Sequence, residues 1–384
     1  ARAAYAARSV QTPLGAVEGI SGTLTLACAR VLNGESGQSP TPAWLTIADG
    51  RIVASGSGDP PPGAVDLGDA LLTPGFVDLQ VNGTGAVDFA SAAVEEIVTA
   101  VDALVAGGTT GMLLTICSAP LDAYDVMLER ARRVRAARPD AVIGVHLEGP
   151  FLGGAPGAHP PEVLRPADID FVKHLHETYG DLVRIVTLAP EADPGLAATR
   201  LLVRNGVVVA LGHSTIDYDG ARSAAGGGAR MVTHLFNGMA PMHHRAPGLA
   251  GAALDDARLV PSVIVDFVHV HPALVKVALT ARVDAVLVTD AVATEPPVLE
   301  RDGAAYLANG TLAGSTLTMV GALRNVVSLG LPAARAVRHV TANPARVLGL
   351  ADRGRIASGA RADLVALDPD TLAVRAVWVA GRPV

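Results

Sequence analysis

The sequence predicts an α/β fold: a TIM-like (β/α)8 barrel with a small β-sandwich domain built from both termini. Three observations lead to this prediction. Eight short apolar runs alternate with helix-like segments, and both ends of the chain are rich in short strands and turns. The chain has 384 residues, which exceeds the roughly 250 that a barrel alone requires.

The eight apolar runs predict the barrel strands. They are rich in β-branched residues and almost continuously hydrophobic, as parallel strands buried on both faces should be. Amphipathic segments separate them; in residues 121–138, for example, Leu128 and Ala131 fall on one apolar face. The runs are residues 71–83, 109–116, 141–150, 182–190, 207–214, 229–237, 260–270 and 284–291.

The two ends of the chain read differently from its middle. Residues 23–70 and 345–384 contain short strands that are separated by Gly, Asp-Pro and Gly-Arg turns. We expect them to pair into one small β-domain, with residues 71–344 forming the barrel. Residues 1–22 lack periodicity and begin without Met, so they are expected to be an N-terminal extension.

Composition excludes several classes of function. The net charge is −7, which disfavours binding to nucleic acid or to an anionic membrane. No apolar run reaches 18 residues and no signal pattern opens the chain, so we expect a cytoplasmic protein without a membrane partner. Cys28 and Cys117 lie in apolar, β-like contexts, and we expect both to be buried, reduced thiols.

Polar side chains follow the predicted strands at their carboxyl ends, where barrel enzymes build their active sites. Glu148, His213 and His234 end three of these strands. A single His at a strand end is commonly just a hydrogen-bonded polar residue. Two imidazoles and one carboxylate together, however, are a usual ligand set for zinc or a similar ion with an open position for water.

Two further residues have both a functional and an ordinary interpretation. Asp290, at the end of the last predicted strand, suits a general base, or it could cap the following segment. Arg245 lies in the Gly- and Pro-bounded loop 240–248, where it could pair with a phosphate or be simply exposed. The loop GGAPGAH lacks the GxxxxGK[ST] pattern, so no nucleotide site is predicted.

At this point the chain resembles a known family, the N-acetylglucosamine-6-phosphate deacetylases of the amidohydrolase superfamily. The resemblance covers residues 23–384. It rests most specifically on HLEGPF, GHS and THLFN, and less specifically on PGFVD and the terminal GxxADLV pattern. Between these occur, in the family's order, GGTTGMLLT, APMHHRAPG, VHVHP, LVTDA, GTLAGSTLTM and TANPARVLGL.

The resemblance implies a metal-dependent hydrolysis of the acetamide of N-acetyl-D-glucosamine 6-phosphate to acetate and the free amine. Glu148, His213 and His234 would hold the divalent metal. Asp290 would activate the attacking water and return the proton to the leaving amine, while His159 would polarise the carbonyl. The implied substrate-binding residues are Gln80, Ala158, His159, Asn237, Gly238, Arg245, His269, Leu312, Ala313 and Gly314. Such enzymes are usually homodimers.

The first predicted strand departs from the superfamily's commoner pattern. Gln80 and Asn82 stand where many members carry His-x-His for a second metal, and carboxamides bind such ions weakly. We therefore predict one divalent ion per chain, zinc first, with Fe2+, Mn2+ or Co2+ as alternatives. Strand 7 carries Phe267 in place of the usual Gly, which would either narrow the sugar pocket or belong to the core.

Two other functions remain open from sequence alone. Another amidohydrolase, such as a dihydroorotase or a hydantoinase-like cyclic amide hydrolase, would need a carbamylated Lys between two metals, and Lys is scarce here. A non-enzymatic relative that only binds a metal or a sugar phosphate is the second alternative. The presence of Asp290 beside a full ligand set counts against it.

Overall fold

A computed structural model describes residues 22–35, 39–296 and 298–384. The expected extension, residues 1–22, therefore lies outside the described residues except for its last member. Within the described residues the chain forms an eight-stranded parallel sheet, an eight-stranded mixed sheet and two small sheets, with helices between the parallel strands. No helix of this part of the chain is both long and apolar enough to cross a membrane.

The strands and helices follow one another as the sequence predicts, with helices between the apolar runs. The strands are β1 (Leu24–Val31), β2 (Thr41–Ala48), β3 (Arg51–Gly56), β4 (Val65–Asp66), β5 (Leu71–Pro74), β6 (Phe76–Val81), β7 (Gly83–Thr84), β8 (Val87–Asp88), β9 (Thr109–Ile116), β10 (Val142–Glu148), β11 (Val183–Leu188), β12 (Val208–Leu211), β13 (Met231–Val232), β14 (Val260–Ile264), β15 (Val286–Val288), β16 (Leu299–Arg301), β17 (Ala304–Tyr306), β18 (Leu312–Ser315), β19 (Leu364–Leu367), β20 (Val374–Val379) and β21 (Arg382–Pro383). The helices are α1 (Val94–Ala106), α2 (Tyr124–Ala137), α3 (Ile169–Tyr179), α4 (Ala197–Arg204), α5 (Tyr218–Gly226), α6 (Gly248–Asp255), α7 (Pro272–Ala281), α8 (Met319–Ser328), α9 (Ala333–Val340) and α10 (Ala342–Val347).

The parallel sheet is the predicted barrel. Its strands run in the order β15-β14-β13-β12-β11-β10-β9-β6, and each of the eight predicted runs contains one of them. The first and last strands meet where Val81 pairs in parallel with Ala291. The apolar side chains of these strands are almost all buried, because helices cover the outside and side chains from opposite strands fill the inside.

The prediction of a single strand over residues 71–83 is wrong in one respect, because the run divides at Gly75. Strand β5 pairs with β1 and β19 of the mixed sheet, whereas β6 pairs with β9 of the barrel. A Cβ on Gly75 would lie 2.0 Å from Thr110 Oγ1, so only glycine allows the chain to pass this closely between the two sheets.

The mixed sheet joins the two ends of the chain. Its order is β21-β20-β19-β5-β1-β2-β3, with β4 beside β1. The edge strand β3 also meets the segment before β19, since Ile52 N donates to Ala360 O and Ala362 N donates to Gly50 O. Strands from both ends therefore curl around one apolar cluster that includes Leu45, Leu72 and Trp378, away from the barrel's own core.

An ion-pair network holds the mixed sheet against the barrel. Arg353 pairs with Asp363 at 2.9 Å and also donates to the carbonyls of Thr110 and Asp140. Arg361 pairs with the same Asp363 carboxylate at 2.9 Å. The Asp363 carboxylate is almost fully buried. Its pairing with both guanidinium groups means that this buried charge is not left unpaired at the junction.

Asp78 ties the first barrel strand to the last. Its Oδ2 accepts a 2.5 Å hydrogen bond from Thr289 Oγ1, and its Oδ1 accepts from Gln80 N at 3.1 Å. The side chain is 1% exposed. Burial raises the pKa of Asp78 to about 7 despite these hydrogen bonds, because no cation among the described residues pairs with it.

Replacing Asp78 with Asn should change how stability depends on pH. The carboxyl of the unfolded chain titrates near 3.8. Between about pH 4 and about pH 7 the folded state therefore binds one proton more at Asp78 than the unfolded state does. The free energy of unfolding therefore falls as pH rises through this window, by up to about 1.4 kcal/mol per unit. Asp78→Asn should lack this slope in urea unfolding followed across the window. An unchanged slope would show that Asp78 is already ionised in the fold.

Candidate metal centre

The chemically active side chains gather at the carboxyl ends of the barrel strands, as the sequence predicts. Glu148 ends β10, whereas His213, His234 and Asp290 each stand two residues beyond the end of a strand. These three have positive φ angles of 48°, 30° and 47°. Left-handed backbone is uncommon for residues other than glycine, so the surrounding fold must hold them in place.

Glu148, His213 and His234 form one compact cluster. Glu148 Oε1 lies 3.0 Å from His213 Nε2 and 2.9 Å from His234 Nε2, and the two Nε2 atoms are 3.1 Å apart. All three residues are buried. Three potential ligand atoms thus converge on one point, as the sequence predicts for these residues.

Backbone carbonyls orient both imidazoles. His213 Nδ1 lies 3.0 Å from Ala155 O, and His234 Nδ1 lies 3.1 Å from Asn237 O. A ring nitrogen that faces a carbonyl must carry the proton, which leaves the Nε2 lone pair free in the neutral ring. This arrangement is the usual support for a metal-binding His.

The electrostatics of the cluster demand a positive charge. Burial alone would raise the pKa of Glu148, but its close contacts with His213 and His234 outweigh it and hold that pKa well below its usual range. Burial opposes protonation of His234, yet its contact with Glu148 raises the pKa of that imidazole. A proton or a metal cation must therefore sit among these donors, and the donor set fits a divalent ion of the zinc type.

Asp290 is held beside the cluster by two carboxamides. Its Oδ1 accepts hydrogen bonds from Gln80 Nε2 at 3.1 Å and from Asn82 Nδ2 at 2.8 Å. Gln80 Nε2 also donates to Glu148 Oε2 at 3.1 Å, so one amide joins the candidate base to a candidate metal ligand. Burial, followed by the nearby Glu148 charge, raises the pKa of Asp290, which suits a group that takes up and releases a proton.

His159 packs against His213, with its ring centroid 4.4 Å from that of His213. Burial, reinforced by the nearby His213, lowers the pKa of His159 to about 3. The ring is therefore neutral, and its Nδ1 accepts a long hydrogen bond of 3.4 Å from Ser118 N. A neutral imidazole here can donate its remaining proton. Ala158, its neighbour in the loop, is half-buried.

Most of the predicted sugar-side residues lie around this cluster. Asn237 supplies the carbonyl that orients His234, and Gly238 O accepts from Ser214 N beside His213. Strand β18 brings Leu312, Ala313 and Gly314 alongside the Asp290 segment, because Ser315 N donates to Asp290 O at 2.9 Å.

The loop after β14 carries His269 and Phe267. His269 Nδ1 lies 2.6 Å from Asp266 Oδ2, and both side chains are buried. Asp266, which the sequence analysis did not single out, therefore fixes the orientation of this imidazole. Phe267 has a φ of 66° and packs, half-buried, against the main apolar core.

Arg245 stands apart from the cluster. It lies on an exposed turn closed by backbone hydrogen bonds between His243 and Ala246. Its guanidinium contacts His244 Nε2 at 2.7 Å, and within the described part of the chain no ion pair joins it to a carboxylate. The guanidinium thus keeps donors available for an anion.

Cys117 is a site residue that the sequence analysis missed. The expectation of a buried thiol is correct for Cys28 but wrong for Cys117, which is exposed. Cys117 directly follows β9, and its Sγ lies 3.2 Å from Asn82 Oδ1 and 3.8 Å from Glu148 Oε2. The signal was present in the sequence, because a residue just after a barrel strand faces the active-site end.

The chain contains two lysines, Lys173 and Lys276. They lie on helices α3 and α7 and are exposed. Neither stands at a strand end, so no lysine is placed to bridge two metals as the cyclic amide hydrolases require.

Comparisons with known proteins agree with this geometry. Residues 71–384 match the model of the amidohydrolase family. The chain is 38% identical over 347 residues to N-acetylglucosamine-6-phosphate deacetylase from Bos taurus, covering 83% of this chain and 84% of that protein. It is 37% identical over 356 residues to N-acetylgalactosamine-6-phosphate deacetylase from Escherichia coli O157:H7, covering 88% and 93%.

Solved structures give the same result. A variant of N-acetyl-D-glucosamine-6-phosphate deacetylase from Mycobacterium smegmatis, in complex with N-acetyl-D-glucosamine-6-phosphate, has a TM-score of 0.87 at 39% identity. The match covers 94% of this chain and 99% of that one. The chain therefore belongs to the amidohydrolase family, whose members are metal-dependent hydrolases. Within it, the chain belongs with the N-acetylglucosamine-6-phosphate deacetylases.

Gly238→Ala should weaken metal binding without unfolding the barrel. Gly238 has a φ of 56°, and an added Cβ would lie 2.8 Å from His213 Nδ1 and 3.2 Å from His234 Cε1. Displacing both imidazoles should raise the metal dissociation constant by about 10- to 100-fold, measured by competition with a chelating dye. Gly85→Ala is the matched control, since Gly85 has a φ of 55° but open space around its Cβ position. An equal loss in the control would point to backbone strain alone.

Proposed function

We propose that this chain hydrolyses N-acetyl-D-glucosamine 6-phosphate to D-glucosamine 6-phosphate and acetate, in amino-sugar catabolism or recycling. The observation that carries the proposal is the Glu148–His213–His234 cluster with Asp290 tied to it through Gln80. The same proposal is supported by relatives of that activity at 37–38% identity over more than four fifths of the chain.

The metal would be held by Glu148, His213 and His234. We propose one tightly bound ion per chain, with zinc as the first choice, because two imidazoles and one carboxylate are a usual ligand set for zinc. Such an ion supplies a lowered pKa for water and a positive charge beside the amide carbonyl. Gln80 and Asn82 are committed to Asp290, which supports their assignment as positioning groups rather than ligands.

The residues around the metal would each have a different role in the remaining steps of amide hydrolysis. Asp290 accepts a proton from the attacking water and returns it to the amine, which otherwise leaves poorly. Gln80 and Asn82 keep the Asp290 carboxylate oriented throughout. His159, neutral and buried, donates a hydrogen bond to the carbonyl oxygen as negative charge develops on it.

We assign the phosphate end of the substrate to Asn237, the backbone NH of Gly238 and Arg245. Arg245 supports this assignment by its exposure and its free donors. His269, together with Leu312, Ala313 and Gly314, would border the sugar ring, and Ala158 would lie beside His159. One relative is named for the galactosamine compound, which differs from the glucosamine compound in configuration at C4. The two N-acetylated 6-phosphates should therefore be compared as substrates.

Oligomeric state and location are further proposals. We propose a homodimer, which is consistent with the exposed turn that carries Met242 and Arg245, since a second subunit could cover it. We propose a cytoplasmic location, because a doubly charged sugar phosphate does not cross membranes unaided.

An acetate-release assay tests the main proposal. Purified protein with one equivalent of Zn2+ should release acetate from N-acetyl-D-glucosamine 6-phosphate. Hydrolysis of dihydroorotate or hydantoin without acetate release would favour the cyclic amide hydrolases. Binding of the sugar phosphate without turnover would indicate a non-enzymatic relative.

Asp290→Asn should lower kcat by about 10²- to 10⁴-fold, because it removes the proton carrier. The Asn oxygen can still accept from Gln80 and Asn82, so the fold and the bound metal should be retained, as metal analysis and circular dichroism would verify. Near-normal turnover in this variant would refute the role assigned to Asp290.

Arg245→Ala should mainly raise KM for the phosphorylated sugar. A phosphate contact made equally in the ground and transition states contributes to binding but not to kcat. The loss of one charge-assisted contact should raise KM by roughly 10- to 100-fold. Unphosphorylated N-acetylglucosamine is the control substrate, and its kcat/KM should hardly change. Equal losses on both substrates would assign Arg245 a structural role.

A further inference from the structure

We propose that Cys117, Glu148 and His159 form a second cation site, selective for thiophilic divalent ions, and that its occupation inhibits the enzyme. The site goes beyond the proposed deacetylase function and rests on it only for the inhibitory effect. It shares one residue, Glu148, with the first metal cluster.

The geometry of the three side chains carries the proposal. One potential ligand atom from each of Cys117, Glu148 and His159 lies within 4.8 Å of the other two. The ligand atoms of the first cluster also lie within 4.8 Å of one another. Because Cys117 is exposed, an ion can reach the thiol from solvent.

The two oxygens of Glu148 face different groups. Oε1 contacts His213 and His234 at 3.0 and 2.9 Å. Oε2 instead lies 3.8 Å from Cys117 Sγ and 3.1 Å from Gln80 Nε2. One carboxylate can thus serve two cations, one through each oxygen, as bridging carboxylates do in two-metal sites.

A second, independent observation is an unpartnered oxygen beside the site. Gln80 is 0% exposed, and its Oε1 is one of few buried side-chain polar atoms in the described residues without a hydrogen-bond partner. The amide to which it belongs is in contact with Glu148 Oε2. Buried polar atoms are normally satisfied, and an acceptor oxygen without a donor adds negative potential next to Glu148, which favours a cation there.

The donor types determine which ion is bound. A thiolate, an imidazole and a carboxylate select Zn2+, Co2+ or Cd2+ over Mg2+ and Ca2+, which prefer oxygen. Cys117 binds as the thiolate, so its Sγ proton is released to solvent when the ion enters. The imidazole of His159 would bind through Nε2, with its proton moved to Nδ1 in place of the long 3.4 Å hydrogen bond from Ser118 N.

The same arrangement explains why the second ion inhibits. His159 is the group assigned to polarise the substrate carbonyl, and an imidazole whose Nε2 binds a cation no longer has the Nε2–H that donates to that oxygen. One equivalent of metal is therefore required for activity, whereas an excess suppresses it. This site is not the commoner second site of the superfamily, because the positions of that site carry Gln80 and Asn82, and its sulfur ligand comes from the end of β9 instead.

Cobalt titration of the whole protein, loaded with one equivalent of Zn2+, tests the proposal. Wild type should develop a near-ultraviolet sulfur-to-cobalt charge-transfer band and lose activity as Co2+ is added. Cys117→Ser should lack the band. The Co2+ concentration that halves the activity this variant shows with one equivalent of Zn2+ should be about tenfold higher, or more, than the corresponding concentration for wild type. Cys28→Ser is the matched control, because that thiol is buried in the mixed sheet and donates to Ala70 O at 2.9 Å; it should behave as wild type.

The outcomes separate this proposal from the proposed function. No acetate release at one equivalent of Zn2+ would refute the deacetylase function, whatever the result of the cobalt titration. Normal release with no charge-transfer band in wild type, or a band that persists in Cys117→Ser, would overturn the second site. If Cys117→Ser fails to fold, Cys117→Ala provides the same test, since it also lacks the sulfur.

Discussion

The join between the first and last barrel strands is the constraint on which the active site depends. Asp78 binds Thr289 across it, Asp290 N donates to Gln80 O, and Asn82 N donates to Ala291 O. These bonds place a carboxylate from the end of the barrel beside two carboxamides from its beginning. The join thus closes the hydrophobic interior and, in the same few residues, orients the Asp290 carboxylate, so an error in strand register there would affect both.

At the centre of the site, one buried carboxylate organises the charges. Glu148 holds two imidazoles on Oε1 and faces an amide and a thiol with Oε2. A buried anion of this kind is stable only if cations or donors surround it, which explains the low pKa of Glu148 and the raised pKa of His234. The positive φ angles of His213, His234 and Asp290 are tolerated because the barrel fixes the backbone on either side of each residue.

The two ends of the barrel have different tasks. At the carboxyl ends of the strands, a buried polar atom lacks a hydrogen-bond partner and several residues have strained backbone. Both features belong to the part of the barrel where the chemistry is expected. Elsewhere, the Arg353–Asp363–Arg361 network and Gly75 fasten the mixed sheet to the barrel with its polar groups fully paired. Substitutions in that junction should therefore act on stability, whereas substitutions near Glu148 should act on metal binding and turnover.

The sequence by itself determined the barrel, its eight strands and the residues that follow them, because continuous apolar runs and strand-end polar residues are local patterns. It also indicated the candidate metal ligands and Asp290, since their residue types suit that chemistry. Only the tertiary structure decided that the run 71–83 divides at Gly75, that Gln80 links Glu148 to Asp290, that Asp266 orients His269 and that Cys117 is exposed beside Glu148. Each of these depends on which atoms distant parts of the chain bring together, and hydrophobic periodicity specifies the face of a strand but not its neighbours in space.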